Sequence, residues 1–146
     1  AAKFHAKEMG LNIDYIHCEP EKLNINKKFD VILNMEVVEH VSNIELFIEH
    51  CSKLIKKNGI MFVATINKNL KSYLFAIVGA EYILKWLPIG THQWDKFITP
   101  EELKIITTKK NFSFDEVAGM KFNFFLNKWY KTSDISVNYI STFLKN

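Results

Sequence analysis

The sequence predicts an α/β domain with a mostly parallel sheet and an antiparallel strand pair near its C-terminal end. Two continuous apolar runs of strand length flank a stretch with helical spacing, and an aromatic-rich tail follows a sharply marked helix start. The length agrees, since 146 residues suffice for one domain with a real core and are too few for two of ordinary size.

AAKFHAKEMGLN opens the chain as a helix that closes at Gly10, the residue type that most easily takes a left-handed turn. The chain starts on Ala1 in a helix already under way, so the expectation is an N-terminally truncated domain. IDYIHC, Ile13 to Cys18, is rich in β-formers and is expected to be a short strand. FDVILNM, Phe29 to Met35, is apolar without alternation, which predicts a strand buried on both faces.

From Glu36 to Lys57, apolar residues recur at Val37, Val41, Ile44, Phe47, Ile48, Cys51, Leu54 and Ile55, which is helical spacing. Ser42 is a candidate internal cap, and Lys56, Lys57, Asn58 and Gly59 read as the C-terminal signal. GIMFVATIN then reads as a second buried strand. Ser72 to Pro88 is apolar nearly all round, with only Glu81 and Lys85 charged, and a turn follows at Pro88 to His92.

Thr99-Pro100-Glu101-Glu102 carries every helix-start signal: an N-cap hydroxyl, proline at the first position, acids in the first turn and a capping box completed by Glu102. The tail segments FSFDEVAGMKFNFF and SVNYISTFL are expected to pair antiparallel at the sheet edge.

Composition narrows the function. Apolar residues make up 48% and charged residues 24%, which excludes disorder. The net charge of +3 comes from scattered positions, so nucleic-acid binding gains no support. All 19 basic residues are Lys, so no bidentate guanidinium clamp is present. Cys18 and Cys51 have no metal or CxxC spacing and fit a reduced, cytoplasmic compartment better than a disulfide framework.

NMEVVEHVSNIELFIEHCSKLIKKNGIMFVATINKN resembles the region of class I S-adenosylmethionine (SAM) dependent methyltransferases that runs from the fourth strand to the fifth, with Asn58-Gly59 in place of the usual Gly-Gly. NKNLKSYLFAIVGAEYILKWLPIGTHQWDKFITPEEL is similar to the signature of the ubiquinone-biosynthesis O-methyltransferases: an N-x-N-x-K-S turn, a VGAEYIL helix, P-x-G-T-H, then K-F-I-x-P-x-E-L. DISVNYI stands where that family has a similar V-N-Y segment.

The resemblance implies a Rossmann-like fold and methyl transfer from SAM to a phenolic hydroxyl of a polyprenylated ring. It also implies an upstream glycine-rich loop and a ribose-binding acid, neither of which is in this sequence; the five glycines are isolated and no GxG occurs. The isolated chain is therefore expected to grip SAM poorly, to expose the apolar partners of its strands, and to aggregate or recruit a partner. Alternatives are a class I methyltransferase for a soluble small molecule and a non-catalytic remnant acting as an interaction partner.

Five positions and one segment are candidates for chemistry. Met35, at the carboxyl end of FDVILNM, is by resemblance a SAM contact and otherwise a gap-filling core residue. Glu36, Glu39 and His40 share one face if helical, which would suit a divalent metal of Mg character, as the resemblance also implies; acids at a helix start are the plainer reading. His92 is a candidate base for the phenol or a hydrogen-bonded loop residue. The segment 72–88 reads as a helix lying on a lipid surface or as a buried lid. The expected partners are a polyprenylated phenol or quinol, the inner face of the membrane and a ubiquinone-biosynthesis complex.

Overall fold

A computed structural model describes residues 1–19, 22, 23, 25–74, 88, 93–123 and 125–146. The elements in order are α1 (Ala2–Glu8), β1 (Phe29–Met35), α2 (Ile44–Leu54), β2 (Ile55–Ile66), the single turn α3 (Leu70–Ser72), a 3-10 turn (Trp94–Lys96), α4 (Pro100–Thr108), β3 (Phe112–Asn123), β4 (Lys128–Thr132) and β5 (Asn138–Lys145).

Helix α1 ends as its sequence dictates. Gly10 sits at φ 65°, the Leu11 amide bonds to the Ala6 carbonyl, and the Gly10 amide bonds to Lys7. These two reversed bonds satisfy the last carbonyls of the helix, and only glycine enters that turn without a Cβ penalty. Ile13 to Cys18 does not form the expected strand. It has no pairing partner among the described residues, and Ile13 and Ile16 stay exposed.

The five strands form one sheet in the order β1-β2-β5-β3-β4. β1 and β2 are parallel, and β5 runs antiparallel to both β2 and β3. The expected C-terminal pair is present, but β5 lies inside the sheet. The edge beyond β3 belongs to β4, an element the sequence does not announce.

One face of the sheet carries the core. Ile32 and Asn34 from β1, Met61, Val63 and Thr65 from β2, and Tyr139, Ser141 and Phe143 from β5 share that face by register. Helix α2 buries Phe47, Ile48 and Cys51 in the cluster they form, and α4 contributes Leu103.

α2 is shorter than its apolar spacing suggests. It starts at Ile44 because the Asn43 side chain accepts the Leu46 amide at 3.0 Å, so Glu36 to Ser42 are loop and turn, and Ser42 caps nothing. It stops at Leu54, and Lys56 to Gly59 bulge within β2: Phe29 pairs with Ile55 while Val31 pairs with Ile60. Asn58 takes φ 62°, tolerable for asparagine. The α4 cap matches expectation, with the Thr99 hydroxyl accepting the Glu102 amide and the Glu102 carboxylate accepting the Thr99 amide.

The opposite face of β1 differs from expectation. Val31, Leu33 and Met35 are exposed, so β1, which lies at the sheet edge, is covered on one face only. Both apolar faces read alike in sequence, yet only the face toward α2 finds cover among the described residues.

Of the segment expected to be helical from Ser72 to Pro88, residues 75–87 lie outside the described residues. Among those described, no helix is long and apolar enough to cross a membrane.

Gly119 marks the point where β3 leaves β5 and pairs with β4. A Cβ there would lie 1.9 Å from the Asp134 carbonyl oxygen, a backbone atom that cannot rotate away. Gly119→Ala should lower stability by about 2 kcal/mol or more, measured by urea unfolding. A midpoint within error of the parent would show that the 134 backbone yields freely.

Candidate functional site

The carboxyl ends of β1 and β2 lie side by side, the place where open parallel sheets bind ligands. Met35 pairs with Ala64, and the ladder ends with the Glu36 amide bonded to the Ala64 carbonyl at 2.9 Å. Glu36 then takes φ 54°. Of the four described non-glycine residues in this left-handed region, three are Asn and the fourth is Glu36. A glutamate held there is under mild backbone strain, which marks the strand end as over-determined by its surroundings.

The surroundings are the buried Glu39 and the neighbouring strand. The Thr65 hydroxyl donates to Glu39 Oε2 at 2.8 Å across the core. Both residues are buried, Glu39 at 4% exposure. The bond fixes the turn after β1 to the end of β2. Burial of its carboxyl group, then the negative charge of Glu39 and a hydrogen bond with it, push the Glu36 pKa up to about 7. Beside them, Tyr139 donates to the Ile98 carbonyl at 3.0 Å; burial first, then the charges of Glu102 and Glu39, raise its pKa and keep it neutral.

The exit of β2 is clamped as well. Asn67 Nδ2 donates to the Ile135 carbonyl at 2.9 Å, and Asn69 Nδ2 donates to the Ser136 carbonyl at 2.8 Å. The fully buried Ser72 hydroxyl donates to the Asn67 and Asn69 carbonyls, and Asn69 and Ser72 form a capping box. The N-x-N-x-K-S pattern thus locks the loop after β2 onto the segment leading into β5.

The sequence candidates fall into separate places. Met35 is half exposed at the strand end, not a core filler. Glu36 and Glu39 come together, but through a loop and not through a helix face. His40 is exposed and lines an open hollow of about 470 Å³ with Val37, Val41, Ser42 and Leu46. Among the described residues, no group of three or more His, Cys, Asp or Glu side chains is placed to hold a metal ion. The three-ligand geometry expected of Glu36, Glu39 and His40 required a helix that begins only at Ile44. His92 lies outside the described residues.

Thr65 and Tyr139 were missed by the sequence reading. Their signal was weak, a polar residue ending an apolar strand and a tyrosine in the V-N-Y segment, and their partners are distant in sequence.

Comparison with known proteins bears on this geometry. A family model described as a methyltransferase domain matches residues 5–117. The chain is 63% identical over 145 residues to a ubiquinone biosynthesis O-methyltransferase of Pelagibacter ubique, covering 99% of the chain and 60% of the relative. It is 46% identical over 140 residues to the protein of that name in Rhodopseudomonas palustris, covering 96% of the chain and 55% of the relative. The chain therefore spans 55–60% of the length of these relatives.

Among solved structures, magnesium protoporphyrin IX methyltransferase of Synechocystis superposes with TM-score 0.67 at 16% identity, covering 99% of this chain and 58% of that one. A SAM-dependent methyltransferase of Clostridium acetobutylicum gives 0.66 at 11% identity, covering 99% and 70%. At such identities the likeness is one of fold.

Two outcomes follow from the carboxyl pair. Thr65→Val leaves the buried Glu39 without its donor and should cost about 1–3 kcal/mol in chemical unfolding, most of it recovered in a Thr65→Val/Glu39→Leu double variant; no loss in the single variant would show that the bond is dispensable. Glu36, with its pKa raised from 4.5 to about 7, contributes full stability below pH 4.5 and loses it as pH rises toward 7. Glu36→Gln should remove that slope, read as unfolding midpoint against pH, and an unchanged slope would place the raised titration elsewhere.

Proposed function

Because the chain belongs to the methyltransferase-domain family, we propose that it serves SAM-dependent transfer of a methyl group to a phenolic hydroxyl of a polyprenylated ubiquinone precursor. The observation that carries this reading is its likeness, over nearly its whole length, to ubiquinone biosynthesis O-methyltransferases.

The strand-end geometry fits the cofactor. A half-exposed thioether at Met35, a nearby hollow lined by Val37, Val41 and Leu46 with His40 and Ser42, and two neighbouring carboxyl groups suit a ligand with an aromatic ring and a positive centre. A cation placed there offsets the repulsion between Glu36 and Glu39 and returns Glu36 toward its ordinary range. When bound, SAM supplies an electrophilic methyl on a sulfonium that leaves as a neutral thioether.

The chain's own contribution is positioning. Thr65 and Glu39 hold the Glu36 turn, and the Asn67, Asn69 and Ser72 clamp fixes the neighbouring loop, so the rims of the site keep their separation while an oxygen is brought in line with the methyl. Little acid-base help is needed beyond removing the phenol proton, for which His92 is the candidate base. No step is assigned to magnesium, because among the described residues no third ligand joins Glu36 and Glu39. In this reading the protein works from the cytoplasm at the inner face of the membrane, where a polyprenylated acceptor resides.

Calorimetric titration with S-adenosylhomocysteine, paired with transfer of labelled methyl from SAM to a polyprenylated catechol, tests both parts. Met35→Ala should weaken the thioether product's binding about tenfold, and the label should appear in an aryl methyl ether. Unchanged affinity in the variant would remove Met35 from the site. Label on nitrogen or carbon would overturn the O-transfer reading.

A further inference from the structure

The register places four residues in one row across the sheet: Met35 pairs with Ala64, Ala64 with Ile140, and Ile140 with Ala118. β2 and β3 both run antiparallel to β5, so they point the same way, and the carboxyl end of β3 lies at the candidate-site end of the sheet. β1 and β2 end at or just beyond this row, whereas β3 continues through Asn123 and pairs there only with β4. At roughly 3.3 Å per residue, the hairpin carries Phe125 up to about 20 Å past the row.

The hairpin tip is apolar and preformed. Phe125 is fully exposed at 101%, Leu126 at 67% and Trp129 at 62%. Disorder does not explain this exposure, because Asn123 Oδ1 accepts the amides of both Phe125 and Leu126, at 3.0 and 3.1 Å, and Asn127 closes the turn at φ 48°. Phe122 packs across the strands against Trp129 with ring centroids 5.2 Å apart.

Charge is distributed along the same axis. Residues 117–133 contain Lys121, Lys128 and Lys131 and no acid. Lys121 and Lys131 are tied to Asp134 and Glu116 at the base, while Lys128, next to the tip, has no ion pair among the described residues. An apolar point backed by tryptophan and an unpaired lysine matches the layering of a bilayer interface, with acyl chains deepest, then the aromatic belt, then anionic headgroups.

We propose that the β3–β4 hairpin tip docks the chain on an anionic lipid surface, turning the carboxyl ends of β1 and β2 toward the bilayer. This contact is separate from the segment 72–88, and it does not rest on the transfer reading, since it stands on the hairpin's own residues.

The test is co-sedimentation of the full chain with vesicles of phosphatidylcholine alone and with added phosphatidylglycerol, together with sedimentation velocity without lipid. Binding is expected to the anionic vesicles, to fall by about tenfold or more in Phe125→Ser/Leu126→Ser, and to weaken severalfold in Lys128→Glu. The exposed Ile105→Ser serves as the control and should bind as the parent does. Because these side chains are exposed, far-UV circular dichroism should be unchanged, and Asn123→Ala, which loosens the turn without removing an apolar group, should give an intermediate loss. Equal binding by parent and double variant, or no binding by the parent, overturns the proposal. So does self-association in solution that disappears with the double variant, since the tip's occupant would then be a second copy of the chain.

Discussion

Strand β2 must satisfy its backbone on two sides at once, parallel to β1 and antiparallel to β5, while its core-facing residues Met61, Val63 and Thr65 are buried under the helices. A strand so enclosed leaves no freedom of register, because a slip of one residue would turn the apolar set to the opposite face. The parallel pairing with β1 needs a crossover, which α2 supplies, and the length of that helix is limited by the Asn43 cap at one end and the bulge at Lys56 to Gly59 at the other. Gly59 is required in that bulge, since a Cβ would press on the Asp30 and Lys56 carbonyls at 2.9 Å.

The candidate site follows from that enclosure. With β2 fixed, Thr65 at its end reaches the buried Glu39, and the loop after β1 is drawn across the top of the sheet. Glu36 is left in a left-handed conformation beside a second carboxyl group, an arrangement unfavourable for the fold alone. The Glu36 turn, the Asn67 to Ser72 clamp and the β3–β4 hairpin all gather at the carboxyl end of the parallel strands. A domain laid out this way gathers these loops at one end of the sheet, the end where open parallel sheets bind ligands.

Of the candidate site, the strand end was legible and its wiring was not. FDVILNM reads as a parallel strand ending at Met35, and the structure ends β1 there with Met35 half exposed. The helical face expected to carry Glu36, Glu39 and His40 does not form, because an asparagine cap at Asn43 starts the helix at Ile44. Apolar spacing at Val37 and Val41 fits the helix period, yet those residues reach the core from a turn. β4 escaped notice because FNFFLNKWY shows no glycine or proline break; its two asparagines make the turn.

The sequence by itself determined those elements whose causes lie within a few residues: the helix end at Gly10, the capping box at Thr99 and Glu102, the apolar strands and their α/β order, and through its motifs the family. Tertiary structure alone decided what depends on partners far away in the chain. It chose which face of β1 stays open, put β5 inside the sheet, brought Thr65 to Glu39, and lined up Met35, Ala64, Ile140 and Ala118 in one row. Local propensity acts over a helical turn or a hairpin, whereas exposure and charge pairing are set by what packs against a residue, and no single segment of the sequence carries that information.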